Sequence, residues 1–178
     1  MLADPRQSRV VLLNLARGST AGAAERFPVR CGGSLTLLPV CHEILGAKSI
    51  AVGEYLTDLL PVEVAASIEH LKSDALSPWR DPGFSAHFAE ADVGIIFLGG
   101  GFLEEEVLIA ALEGAKRGYE MRLLSDLAFA RRETDRQLVV NRLAHHGIVT
   151  TTIRQALFEW AVVLDDPAMT HRIRQLPP

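Results

Sequence analysis

The sequence predicts an α/β fold, a three-layer α-β-α sandwich around a mostly parallel sheet. Three observations carry this expectation. Short apolar runs alternate with stretches of helical periodicity, the pattern of strands joined by helical crossovers. The runs are continuously apolar, as strands covered on both faces are. The 178 residues are 48% hydrophobic and 22% charged, enough for one domain over residues 1–178 with a real core.

The strands read in order as Arg9-Val10-Val11-Leu12-Leu13-Asn14, Lys48-Ser49-Ile50-Ala51-Val52, Val93-Gly94-Ile95-Ile96-Phe97-Leu98 and Glu120-Met121-Arg122-Leu123-Leu124. A fifth is Gly147-Ile148-Val149-Thr150-Thr151. A first helix is expected from Thr36 to Leu45, with Thr36 as N-cap, Pro39 in the first turn and Gly46 as its stop. A second runs from about Glu104 to Arg117 on the spacing of Val107, Leu108, Ala111, Leu112 and Ala115, with Gly118 closing it. A third starts at Thr134 or Asp135 and ends at Gly147, and a last one covers Arg154 to Val163 before the Pro177-Pro178 tail. Between the second and third strands, Val62 to Leu71 reads as a helix. Asp74 to Phe88, with Pro78, Pro82 and Gly83, reads as a loop.

Charge and cysteine content narrow the function. The net charge of −4 gives no basic footprint for nucleic acid. No secretory leader and no membrane-spanning run is visible, so a soluble, cytoplasmic protein is expected. Cys31 and Cys41 form neither a disulfide framework nor a zinc motif. Cys41 and its neighbour His42 lie on one helix and do not face each other. Both cysteines read as buried and inert. His145-His146 near a helix end suits the dipole, and no metal or other cofactor is expected.

In open parallel sheets, ligands bind beyond the carboxyl ends of the strands. Three segments should meet there: Asn14 to Ser19, Trp79 to Phe84, and Gly99 to Glu106. The Gly99-Gly100-Gly101 triplet permits unusual backbone angles and close approach of a ligand. It matches neither a phosphate loop nor the dinucleotide fingerprint, and three glutamates follow it, so a nucleotide-binding reading is weak. Glu104 and Glu105 have a plain role in complementing the helix dipole, worth about 0.3–1 kcal/mol each. Glu106 directly precedes the apolar face and is the candidate site residue.

Phe97-Leu98-Gly99-Gly100, Glu106 to Ala111, Ala115-Lys116-Arg117-Gly118-Tyr119 and Ser125-Asp126 together resemble the signature of the isochorismatase-like cysteine hydrolases. The resemblance spans about Phe84 to Phe158. It implies the fold given above, homo-oligomers, and hydrolysis of amide, carbamoyl or vinyl-ether substrates; the cysteine members use an Asp, a Lys and a Cys, and some members that act on vinyl ethers work without the cysteine by protonation from the Asp. At those positions this chain carries Asn14, Arg80 (the nearest match to the Lys) and Glu106. The family's metal pattern after the second strand is replaced by Gly53-Glu54-Tyr55-Leu56.

Two readings follow. In the first, Arg80 and Glu106 form a buried ion pair that fills the old active site. The protein is then a non-catalytic binding or assembly subunit. Asn14 and Arg80 would hold a small carboxylate- or amide-bearing ligand, with Trp79, Phe84 or Phe102 as an apolar wall and Gly100 and Gly101 beneath. In the second, Glu106 acts as acid or base in an altered hydrolase. An apolar stripe of Ile153, Leu157, Trp160 and Leu164 is a candidate subunit interface, with core packing an equally good account of it.

Overall fold

Strand β1 (Ser8–Leu13) organises the architecture. Val10 and Leu12 enter one apolar cluster and Val11 and Leu13 another, all four at most 1% exposed. A strand that feeds two cores is covered on both faces. The other strands are β2 (Ser49–Val52), β3 (Ile68–Leu71), β4 (Ile95–Phe102), β5 (Glu120–Phe129) and β6 (Val149–Thr151). They form one six-stranded sheet in the order β3-β2-β1-β4-β5-β6, with every neighbouring pair parallel. The computed structural model describes residues 1–17, 31–46, 48–55, 57–89 and 92–176. Gly18, Ser19 and the Pro177-Pro178 tail lie outside the described residues.

Helices cover both faces. On one side lie α1 (Leu38–Leu45), α2 (Val62–Ala66), α6 (Ile153–Leu164) and α7 (Pro167–Arg174), packed on Val10, Leu12 and Phe97. On the other lie α3 (Pro82–Ala89), α4 (Leu108–Lys116) and α5 (Glu133–His145), packed on Val11, Leu13, Leu98 and Leu123. The predicted α/β sandwich is therefore the observed fold. No helix among the described residues is long and apolar enough to cross a membrane.

Several boundaries differ from the sequence reading, each for a local reason. The helix expected over Val62 to Leu71 ends at Ala66, and Ile68–Leu71 is the edge strand β3. Only Ile68 of that strand is buried, so it lacks a buried strand's apolar signature. Part of the loop expected over Asp74 to Phe88 is α3, which buries Phe84 and Phe88 one turn apart. Thr36 caps nothing. It sits in a 3₁₀ turn over Gly32–Leu37 that leads into α1, while Gly46 ends α1 in the left-handed conformation as expected. Helix α5 begins at Glu133, ahead of Thr134 and Asp135. Helix α6 is fixed by a capping box between Thr152 and Gln155. Its Ile153, Leu157 and Trp160 are fully buried and Leu164 is half-buried, so the stripe packs mainly into the core.

Strands β4 and β5 run past Leu98 and Leu124, where the sequence reading stops them. The glycine triplet explains the extension of β4. A Cβ on Gly100 (φ +106°) would lie 2.1 Å from the Leu13 carbonyl oxygen, and one on Gly99 would lie 2.8 Å from that of Leu127. The triplet lets three backbones pack at the sheet centre. Gly100 and Gly101, expected as binding residues, are placed at this close strand packing and are not among the residues that line the cavity described below.

Candidate functional site

From β1 the chain moves to β2 and β3 on one side, then crosses to β4 on the other side of β1. The connections leaving β1 and β4 diverge, which opens a crevice at their carboxyl ends. A cavity of about 380 Å³ lies there, lined by Asn14, Arg17, Glu54, Ser73, Asp74, Ala75, Leu76, Glu105 and Glu106. Its lining comes from the exits of β1, β2 and β3 and from the segment after β4.

Asn14 follows β1 directly and has φ of +46°, a conformation Asn tolerates better than most residues. Its N–H donates to the Val52 carbonyl at 2.8 Å, and its Oδ1 accepts the Glu54 N–H at 3.0 Å. The carboxamide thus ties the exit of β1 to the exit of β2. A Cβ on Gly53 would lie 2.1 Å from Asn14 Oδ1, so the glycine makes room for this bond.

Glu106 lies in a kinked, irregular turn over Leu103–Val107 between β4 and α4. Glu105 breaks the helical geometry there with φ −112° and ψ −113°. Glu106 is 4% exposed, yet it lines the cavity. Its Oε1 accepts from Nη1 of Arg17. Its Oε2 is buried with no hydrogen-bond partner. Arg17 also reaches Glu54, through Nε at 3.1 Å and Nη2 at 2.8 Å, and its Nη1 lies 4.0 Å from Glu105. One guanidinium therefore stands among three carboxylates. Glu105 is held in turn by Arg131 at 2.7 Å, and Glu104 accepts the Arg131 N–H at 2.7 Å. Both glutamates pin the segment after β5 in addition to standing at a helix start.

The structure brings Asn14 and Glu106 together at one cavity and leaves Arg80 out. Arg80 is exposed at the end of a 3₁₀ turn over Pro78–Arg80 and makes no ion pair among the described residues. The cation that meets Glu106 is Arg17. The expected Arg80–Glu106 pair is corrected accordingly. Arg80→Ala is expected to change stability by less than about 0.5 kcal/mol, as an exposed side chain should. Arg17→Met removes the donor to a buried carboxylate and is expected to cost about 1–3 kcal/mol. Urea denaturation of the two variants checks the contrast.

The proposed apolar wall is also corrected. Trp79 is buried against Phe84, with ring centroids 4.9 Å apart, and against Tyr119 at 5.1 Å, and its Nε1 donates to the Ala110 carbonyl at 2.8 Å. Phe102 is 6% exposed beneath the Arg131 guanidinium, 4.1 Å from its ring centroid. None of Trp79, Phe84 and Phe102 lines the cavity; they are core. Arg17, Glu54 and Asp74 were missed by the sequence reading. Glu54 had a signal, since it stands just beyond the carboxyl end of β2.

The cysteines stay apart from this site. Cys41 is fully buried, and burial pushes its thiol far up from its ordinary value. Cys31 lines a different cavity, with Ser125, Asp126 and Arg136. Both Asp126 carboxylate oxygens accept the Ile153 N–H at 3.2 Å, which caps α6. No group of three or more His, Cys, Asp or Glu among the described residues is arranged to hold a metal ion.

No protein-family model matches this sequence, and no curated protein matches it. Solved structures do. The MAR1 ribonuclease of Caenorhabditis elegans superposes with a TM-score of 0.78 at 17% identity, over 100% of this chain and 95% of that one. The Escherichia coli YcaC gene product, an octameric hydrolase of unknown specificity, gives 0.79 at 15% identity, over 97% and 89%. An isochorismatase-like hydrolase from Alkaliphilus metalliredigens gives 0.63 at 15% identity, over 88% and 97%. At these identities the likeness speaks to fold.

Proposed function

We propose that this chain, which has the isochorismatase-like hydrolase fold, is a small-molecule-binding protein that has lost the thiol chemistry of that fold's cysteine enzymes. The observation that carries this reading is the Arg17–Glu106 contact inside an open cavity. A carboxylate stands at the cysteine position and is engaged by a cation. Asn14, at the family's Asp position, cannot take up a proton, and its carboxamide oxygen is occupied by Glu54 N–H. A thiolate pathway needs both a thiol and a base. The cavity beside them remains large enough for a small polar ligand, and the orphan Oε2 favours one with N–H groups, such as an amide. The carboxylate-bearing ligand loses its support together with Arg80.

The test is a panel of amides, carbamoyl compounds and enol ethers, assayed for turnover and by thermal shift. We expect shifts without turnover. Hydrolysis that disappears in Glu106→Ala would overturn the reading. It would support the second one, an altered hydrolase in which Glu106 activates water through its unpartnered Oε2. Self-association belongs to the proposal as well, by analogy with the octameric YcaC. With the inner face of α6 consumed by the core, its outer Phe158 and Val162, 37% and 63% exposed, are the residues offered to a partner subunit. Light scattering checks the assembly.

A further inference from the structure

We infer that the ligand of this cavity is a small organic cation with N–H donors, of the alkylammonium or alkylguanidinium class. The inference rests on the binding reading above and adds the ligand's charge. Four of the nine lining residues are carboxylates, Glu54, Asp74, Glu105 and Glu106, and one is a cation, Arg17. Arg131, behind the lining, neutralises Glu105. Counting both arginines, the described residues leave two negative charges in excess. Asp74 has no ion-pair partner among them.

Charge alone would not make a site; the second observation is Glu106 Oε2. The residue is 4% exposed, and this oxygen has no donor. Buried acceptors in native proteins are nearly always paired, and the residue that carries this one lines the cavity, so a ligand N–H is the donor it lacks. A carboxylate ligand brings no N–H and meets like charge. A neutral amide supplies the N–H but leaves the excess charge. An ammonium or guanidinium supplies both, through the stronger charge-assisted bond.

The chain already shows that the geometry accepts a guanidinium. Arg17 divides its nitrogens between Glu54 Oε1 and Glu106 Oε1 and leaves the buried Oε2 without a donor. Ala75 and Leu76, the latter 60% exposed, line the same cavity and offer contact to a short aliphatic stem.

The test is calorimetric titration of the full chain with methylguanidinium and butylammonium chlorides, with propionamide and sodium propionate as neutral and anionic comparators. The cations should bind, weaken as salt is added, and bind Glu106→Gln about tenfold or more weakly. Asp74→Asn, an exposed change that leaves the fold intact, should weaken them about threefold. Thermal melts confirm that each variant is folded, and Asp74→Asn keeps the test decisive if Glu106→Gln is not. Tighter binding of propionamide or propionate would overturn the cationic inference and leave the binding reading standing. Cation binding unchanged in both variants would likewise overturn it. Failure of all four probes would overturn both.

Discussion

Replacing Arg122 with methionine is expected to destabilise the chain by about 3 kcal/mol. Arg122 lies on β5 with its side chain 5% exposed. Its Nη1 donates to Glu159 at 2.6 Å, its Nε to Glu120 at 2.8 Å and its Nη2 to the Met1 carbonyl at 2.9 Å. The guanidinium also lies over the Phe97 ring at 5.6 Å. Burial alone would favour its neutral form. The hydrogen bonds to Glu120 and Glu159 outweigh that and hold it above its usual value. Removing one partner of a buried pair costs about 3–5 kcal/mol, because the other charge is stranded. The low end applies here, since Glu120 and Glu159 are 40% and 24% exposed and can recover water. Glu159 also accepts the Ala3 N–H at 2.9 Å, so residues 1–3 should loosen together with the pair. Equilibrium urea denaturation at neutral pH measures the effect. A loss under about 1 kcal/mol would mean that the network behaves like an exposed ion pair.

Gly100→Ala is expected to be more severe, with a loss above about 4 kcal/mol or no folded protein at all. The added Cβ would lie 2.1 Å from the Leu13 carbonyl oxygen and 2.2 Å from its nitrogen. Those atoms are backbone at the centre of the sheet, where Leu13 pairs with Gly100, so no side-chain rotation relieves the clash. The φ of +106° adds backbone strain that an alanine does not tolerate. Any relaxation must separate β1 from β4, the two strands that lead into Asn14 and Glu106. Gly118→Ala is the control: its φ of +94° is similar, but a Cβ there meets nothing within 4 Å. Circular dichroism melts should rank Gly100→Ala far below Gly118→Ala. Equal melting temperatures would refute the close-approach account.

The outcome separates what a linear sequence carries from what it does not. Strands β1 and β4 and helix α4 were legible because their apolar residues are contiguous or helically spaced. Strand β3 was not, because only Ile68 faces the core while Glu69 and His70 are exposed. Helix α3 was hidden by Pro82 and Gly83, which punctuate loops but here open a helix. At the site, Asn14 and Glu106 were legible as residues at strand ends. Arg17 was not, because its meeting with Glu106 depends on how the chain leaves β1, and no periodicity encodes that. Nearness in sequence to Phe84 singles out Arg80 but says nothing about which way a short 3₁₀ turn points.

The placement of the cavity has an evolutionary consequence. Most of its lining, Glu54 and Ser73 to Leu76, comes from exit segments beyond the strands, outside both cores. Substitutions there leave the apolar clusters untouched, so the lining is free to drift while the frame persists. Chains that superpose this well at about 15% identity can therefore part ways in chemistry through a few rim residues. Glu106 and Asn14 are the exceptions, since each is buried and bonded to a neighbouring segment. A lineage seeking new specificity would find its accessible steps at Glu54, Asp74 and Leu76, and would change Asn14 or Glu106 only in concert with their partners.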